Sequence, residues 1–489
     1  QDSPEKEAKD EEPKQDTDKK EGAKADDPQP DPNWEIPRLF RDRFEEKKPH
    51  HERTLAALQW LADHQNEDGS WRPDQFEKDS RRVKEWKAEV TYNVFKGIGI
   101  ESAFDTGFNS LECGVTAIAL LAFLGDGHTT HHGKFKGLMK KGLSYLTTQQ
   151  DESGFFGDKE NVNDSYTHAV STMVLVENYA LTGDKSHLTN IEKAIDFILS
   201  HRSYDFAKDA REKRGVWRYF VEDSSLNTSL SSWMVLALVS AQHSGLVNDK
   251  KELERAFEDV NAWVKVIVDY KSLSREEAEA LEMAGKKRYA IAGYNTPGTG
   301  NSRLTIRPQW SQNGALDAAT VMMMTFTTNE KRTSKFNRER LEYIQTHKPS
   351  WVAVTDLDEK GNPKSPGAKD PYKIDFIYWF YASHAMYQSG SSTQKKAWEK
   401  DLYDGVLLKY QRGWHDNDVK KFKEEVKNVV GHGKEGEKEG RQILDEHGSW
   451  DPLGAWGEIG GRVTTTAFGA LALQAPYRYK GFVPYRPKK

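Results

Sequence analysis

Two side chains in this 489-residue sequence stand where proton transfer would need them, Asp317 and His168. Asp317 lies in Gly314-Ala-Leu-Asp317-Ala-Ala-Thr320 and His168 in Tyr166-Thr-His168-Ala-Val, each at the opening of an apolar, helix-like segment. A carboxyl and an imidazole so placed are a candidate catalytic pair. The plain alternatives are a first-turn partner of the helix dipole for the Asp and core packing for the His. Near segment starts of the same kind fall Tyr166, Trp217, Arg218, Trp233, Tyr378, Trp379, His384 and Arg462. They are candidate ligand contacts through polar tips or π faces, and each could equally fill the middle of the molecule. No nucleophile elbow, phosphate-cradling loop or dinucleotide fingerprint is present, so no cofactor is called for. The single Cys113 excludes a disulfide framework and any multi-Cys metal centre. His128, His131 and His132 could take a metal adventitiously, but their short polar turn reads as solvated, and no metal site is expected.

The elements that must position these residues are helices. Phe135, Leu138, Met139, Gly142, Leu143 and Leu146 form one apolar face, as do Leu188, Ile191, Ala194, Ile195, Ile198 and Leu199. One-faced helices are predicted near 52 to 65, 134 to 150, 188 to 201, 251 to 270, 335 to 347 and 395 to 411. Between them lie helices apolar around most of their circumference, starting near Cys113, Tyr166, Asn227, Gly314, Ile374 and Val463. Helices without a polar face must be covered on several sides. Six such pairs amount to an internal repeat with insertions. A turn signature punctuates it: Gly69-Ser-Trp71, Gly154-Phe-Phe156, Gly215-Val-Trp217 and Gly448-Ser-Trp450, with a Gln shortly before the first two.

Charge divides the chain. Residues 1 to 33 lack Val, Ile, Leu, Met, Phe, Tyr and Trp and carry a net charge of −6 of the chain's −5, leaving 34 to 489 near +1. The first segment reads as a disordered, acidic, Pro-rich linker, and 34 to 489 as one domain of six helix pairs. A nearly neutral domain gives no electrostatic case for nucleic acid, and no apolar run is long enough for a transmembrane segment. A chain opening on Gln and running at once into such a tether fits a mature secreted or periplasmic protein whose signal has been removed. A trimmed chain start is the alternative.

Leu58-Gln-Trp-Leu-Ala-Asp-His-Gln-Asn-Glu-Asp-Gly-Ser-Trp71 resembles the Gln-Trp repeat of squalene and terpene cyclases. Tyr166 to Glu177, Gly215 to Tyr219, Tyr378 to Met386, and Gly448 to Pro452 with Gly460 to Ala467 resemble secreted bacterial prenyltransferase and squalene oxidase repeat proteins. The resemblance implies an all-α, α6/α6 toroid with six inner helices ringed by six outer ones. Periodicity alone does not separate a closed ring from an open solenoid. In a ring, the large insertions gather at the end where the inner helices begin, which is where a ligand is expected to enter. The family's Asp-x-Asp-Asp acid is absent; the nearest string, Asp356-Leu-Asp358-Glu359, sits in an evident loop. The zinc segment of protein prenyltransferases is matched only faintly by Cys113 and Asp164-Ser-Tyr166-Thr-His168. The expected function is therefore an exported toroid binding a ligand or partner at that mouth without standard cyclase chemistry. A divergent isoprenoid cyclase or prenyltransferase is the first alternative, and a polysaccharide lyase or glycosidase on an α/α ring the second. The partner in the central cavity would be a small molecule such as an isoprenoid, a glycan or a protein.

Overall fold

The structure, a computed structural model, describes residues 33–82, 107–203, 215–220, 225–270, 275–285, 287–298, 314–328, 334–351, 374–413, 445–453 and 456–482. Residues 1 to 32, the Asp356 string and the mixed-charge run 420 to 441 lie outside them. Twelve principal helices are numbered along the described chain. They are α1 (His51–Asp63), α2 (Glu112–Gly125), α3 (Lys136–Thr148), α4 (Asp164–Thr182), α5 (Leu188–Ser200) and α6 (Thr228–His243). Then follow α7 (Lys250–Ile267), α8 (Ala315–Thr327), α9 (Lys335–Thr346), α10 (Phe376–Ser389), α11 and α12 (Gly457–Leu473). Helix α11 begins as Ser392–Trp398, widens into a π-helical stretch, Glu399–Leu407, and ends with Leu408–Tyr410. A short hairpin pairs β1 (Val268–Tyr270) antiparallel with β2 (Ala290–Ala292).

The even-numbered helices close a ring: α2 packs on α4, α4 on α6, α6 on α8, α8 on α10, α10 on α12, and α12 back on α2. The odd-numbered helices lie outside it, each against one or two inner helices. The division follows from residue pattern. In α2 every residue from Val115 to Gly125 is buried, as an element walled on all sides requires. In α5 burial falls on Ile191, Ala194, Ile195, Phe197, Ile198 and Leu199, while Thr189, Lys193, Asp196 and Ser200 are exposed, as in a helix with one wet face.

The recurrent turn signature is a clasp between neighbouring pairs. The indole Nε1–H of Trp71, Trp217 and Trp450 donates to a carbonyl near the end of the preceding outer helix: Leu61 at 2.8 Å, Ile198 at 2.8 Å and Leu407 at 2.9 Å. The backbone N–H of the same aromatic position reaches a side chain of the next inner helix: Thr116, His168 (from Phe156), Ser231 and Thr466. The Gln amide donates to the turn glycine's carbonyl and onward to the next outer helix or the turn leading into it. Gln65 reaches Gly69 and Leu138, Gln150 reaches Gly154 and Asn190, and Gln411 reaches Gly448 and Arg53. Gly69, Gly154 and Gly448 sit at φ 98°, 95° and 97°. A Cβ there would stand 2.3 to 2.5 Å from the carbonyl oxygens of Lys141, Lys193 and Ala56, so glycine is required. In the third repeat Arg202 takes the Gln position, donating to Gly215 O and to Asp259 on α7. The Gln411 bond to Arg53 joins the last clasp to the first outer helix, which closes the outer layer.

The two ends of the ring differ. At the end where the inner helices finish, the short helices Arg38–Arg41 and Ala475–Arg478, with the 3-10 turn Asp42–Phe44, plug the base. Arg43 and Arg478 donate to Glu177 Oε2 on α4 at 2.6 and 2.8 Å, and all three side chains are fully buried. Midway, Trp233 of α6 stacks on Phe380 of α10 (5.3 Å, 6°) and both meet Phe468 of α12, so aromatic rings fill the axis. This plug lies about 6 to 9 Å below the inner-helix starts, four to six residues at the helical rise. No described helix is long and apolar enough to cross a membrane.

Candidate functional site

Above the aromatic plug lies the mouth, where the inner helices begin. On one side three tyrosines converge. Tyr166, in the first turn of α4, has its hydroxyl 3.1 Å from that of Tyr219 and 3.2 Å from that of Tyr294, and the Tyr219 and Tyr294 hydroxyls touch each other. Asn227 fixes the group: its Oδ1 caps α6 by accepting from Leu230 N, while its Nδ2 donates to Tyr294 Oη at 2.9 Å. The Tyr294 carbonyl in turn accepts from Thr228 N. Tyr166 and Tyr294 are half-buried. Burial pushes both phenols up, helped by Tyr294 and Tyr219 at Tyr166 and by Tyr219 at Tyr294, so they remain neutral donors and acceptors.

Opposite, between α10 and α12, lies a small crevice, mostly apolar, lined by Ile374, Phe376, Leu453, Trp456, Thr464 and Phe468. Its Phe468 belongs also to the axial plug. Outward from Phe376 the aromatic surface continues to Trp351, itself stacked on Tyr410 at 4.8 Å. Helix α12 begins here with one turn and a reversal at Gly461 (φ 66°), which is why its regular part starts near the predicted Val463.

Asp317 stands in the first turn of α8, 1% exposed, beneath the β1–β2 hairpin. Its Oδ1 accepts from Ala292 N at 3.2 Å and lies 3.3 Å from Arg340 Nε on α9. Burial outweighs the guanidinium and pushes the carboxyl up to about 7. It is thus both a tether for the hairpin and an acid able to hold a proton near neutrality.

The other sequence candidates are placed as follows. His168 is fully buried against Phe155 and Phe197, where its Nδ1 serves as a clasp acceptor, and burial pushes it down to about 3. Trp217 is a clasp indole. Arg218, half-buried, is in a bridge pairing with Leu226 beside the tyrosine group. Trp233 is in the axial plug. Tyr378 donates to the Ile344 and His347 carbonyls at the end of α9, and Trp379 is buried between Phe376 and Trp351. His384 lies toward the base against Tyr479, driven well below its ordinary value by burial and then by Arg478 and Arg43. Arg462 donates to Ser449 Oγ and to Asp451 at 2.8 Å. Burial alone would raise Asp451; Arg412 and Arg462 reverse this and hold it low. Of these candidates, Tyr166 and Arg218 share one wall of the mouth.

Cys113, Asp164 and His168 do not form a zinc site. The Asp164 carboxylate accepts from Asp158 N and Thr167 Oγ1, and burial pushes the thiol up to about 12. Among the described residues no group of three His, Cys, Asp or Glu is arranged to hold a metal. The histidine turn 127 to 133 lies at the base and is partly packed: His131 pairs with Asp184 at 2.9 Å and His128 meets Phe135 edge-on.

Tyr219, Tyr294, Trp456 and Phe468 were not singled out by sequence reasoning. Tyr294 falls in Gly293-Tyr-Asn-Thr-Pro-Gly298, whose glycines signal a turn but not that it folds back onto α6.

No family model matches the sequence, and no curated protein matches it. Several solved structures share the arrangement of helices. One is an inactive variant of the α-1,6-mannanase GH76A of Salegentibacter sp. HEL1_6 in complex with α-1,6-mannotriose: 12% identity, TM-score 0.46, covering 87% of this chain and 98% of that one. Another is a family 76 glycoside hydrolase (mannosidase) from Bacteroides thetaiotaomicron: 8% identity, TM-score 0.43, covering 88% and 97%. A third is an α-amylase from Clostridium perfringens: 7% identity, TM-score 0.46, covering 87% and 98%. The likeness concerns helix arrangement and carries no assignment of chemistry. These structures are glycoside hydrolases rather than terpenoid cyclases, so the resemblance to squalene cyclases and prenyltransferase repeat proteins is corrected, and the isoprenoid partner falls with it. The physical reason lies in the clasp. Gln, Gly and the aromatic ring hold one helix pair to the next, so they mark a ring of helix hairpins whatever its chemistry.

Proposed function

We propose that the protein is a glycan-binding α/α ring that takes a neutral oligosaccharide at the mouth. The observation that carries this reading is the Tyr166–Tyr219–Tyr294 group with Asn227: neutral phenols and an amide, which both donate and accept, on one wall of a mouth whose opposite wall carries Phe376, Trp456 and Phe468. Sugar hydroxyls match such groups, and the apolar faces of sugar rings pack on aromatic ones. Of the buried charges near the mouth, Asp451 is paired with both Arg412 and Arg462, which disfavours an anionic ligand at those guanidiniums.

Hydrolysis of the bound glycan is the second reading, favoured by Asp317. A carboxyl raised to about 7 suits a general acid, and a glycosidase needs a second carboxylate across the scissile bond. Titration calorimetry against neutral manno- and gluco-oligosaccharides of both anomeric linkages, with an oligouronate as control, tests both. Binding of a neutral oligosaccharide, weakened tenfold or more in Tyr294→Phe and Trp456→Ala, is expected. Binding of none, or of the uronate alone, would reject the reading. Release of reducing ends by the parent chain but not by Asp317→Asn, with binding retained, would add hydrolysis.

A further inference from the structure

The β1–β2 hairpin links a buried acid to the tyrosine group. Ala292, the last residue of β2, donates its N–H to Asp317 Oδ1 at 3.2 Å, and Tyr294 follows it with only Gly293 between. Gly293 N donates to the Ile267 carbonyl at the end of α7, and the Tyr294 carbonyl accepts from Thr228 N at the start of α6. A hairpin of two three-residue strands has little stability of its own in water, so its seat on the ring fixes where it lies. Part of that seat is the Asp317 carboxyl, buried in the first turn of α8.

The surroundings of Asp317 suit a neutral carboxyl better than a carboxylate. Helix α9 faces it with the phenol of Tyr343 and with one cation, Arg340, whose Nε lies 3.3 Å from Oδ1 but makes no hydrogen bond. Helix α10 faces it with Tyr378, whose hydroxyl is engaged by the Ile344 and His347 carbonyls. Helix α6 carries no titratable side chain before His243 at its far end, and α7 buries Trp263, Val264 and Ile267 while Lys265 is exposed. The charges on and beside the hairpin, Asp269, Lys287 and Arg288, are exposed as well. A carboxylate at this place is met by one poorly aligned guanidinium and one peptide N–H, and raising the hairpin would let water complete its solvation. We propose that Asp317 is a positioning residue for the mouth: protonated, it seats the hairpin and holds Tyr294 in the tyrosine group; ionised, it releases the hairpin and weakens ligand binding. The proposal rests on the glycan reading for the identity of the ligand. The carboxyl, pushed up to about 7 by burial against an ordinary 3.8, agrees with it. The seated state is favoured in full below about pH 4, and that advantage is lost as pH rises to about 7.

The test uses the full chain and two readouts between about pH 5 and about pH 8. The first is amide exchange at Ala292, corrected for the intrinsic pH dependence of exchange. Protection in the parent is expected to fall about tenfold as pH rises. It should stay level in Asp317→Asn, whose amide oxygen still accepts from Ala292 N but which cannot ionise. The second is titration calorimetry with a neutral manno- or gluco-oligosaccharide. The parent's affinity is expected to fall about three- to tenfold over the same range, and that of Asp317→Asn to stay level. Arg340→Gln, which removes the cation that favours the carboxylate, should extend both falls to higher pH. Protection of Ala292 that is level with pH in the parent, or that falls alike in Asp317→Asn, would overturn the proposal. An oligosaccharide affinity level with pH would overturn it too, while leaving the glycan reading in place. Absence of oligosaccharide binding at every pH would reject the glycan reading and the effect on binding with it, whereas pH-dependent exchange at Ala292 would still support the seat.

Discussion

The two ends of the inner ring are built from opposite materials. At the base, charge is fully buried: Arg43, Arg478 and Glu177 have no exposed side-chain surface, and the two arginines come from short segments that cross the ring. At the mouth, half-buried neutral groups meet, and the long connections arrive there. Parallel inner helices bring their negative ends to the base and their positive ends to the mouth. Cations at the base and carboxylates such as Asp164 and Asp317 in first turns at the mouth complement that field. The base is thus where the ring is fastened by buried charge, and the mouth is where neutral groups stay half-buried.

If so, substitutions at the base should act on stability and those at the mouth on binding. The largest effect is expected for Glu177→Ala, which leaves two buried guanidiniums unpaired and should destabilise by about 3 to 5 kcal/mol in urea unfolding. Next comes the clasp that joins last repeat to first. Gly448→Ala forces a Cβ onto the Ala56 carbonyl at positive φ and should cost about 2 kcal/mol by the same measurement. A near-neutral result would mean that the ring does not depend on this closure.

The ends should also respond oppositely to pH. Asp317 has a folded-state pKa of about 7, above the ordinary carboxylate value of 3.8, so the folded chain holds this proton more tightly than the unfolded one. Its contribution to stability is full below about pH 4 and is lost as pH rises to about 7. Asp317→Asn should remove that decline. His384, toward the base, is depressed from 6.5, so its contribution is full above about pH 6.5 and is lost as pH falls. His384→Phe should flatten the acid side only. The smallest effect on stability, within about 1 kcal/mol, is expected for Tyr294→Phe, which removes one partly exposed hydroxyl from a shared group.

Helix positions were legible because burial imposes a period on the chain. The predicted one-faced segments and the observed outer helices agree to within a few residues, and the all-round apolar segments are the inner ring. The clasp was legible as a spacing but not as a function, since Gln-Gly-aromatic punctuation gives no sign of what the ring encloses. Gln411 was missed because an insertion separates it from its glycine, Gly448, whereas Gln65 lies four residues before Gly69. The base was illegible for a similar reason. Arg43, Glu177 and Arg478 are 134 and 301 positions apart, and nothing local marks a charge that will be buried by residues so distant. At the mouth, Tyr166 was visible at a helix start, whereas Tyr219 and Tyr294 lie in connections whose return path the sequence does not show.

Amide hydrogen exchange with and without a bound neutral oligosaccharide tests the account most directly. Added protection is predicted around Tyr166, Tyr219 to Phe220, Asn227 to Leu230, Gly293 to Thr296 and Trp456 to Phe468, with none around Arg43, Glu177 and Arg478. Protection concentrated at the base, with the mouth unchanged, would contradict it.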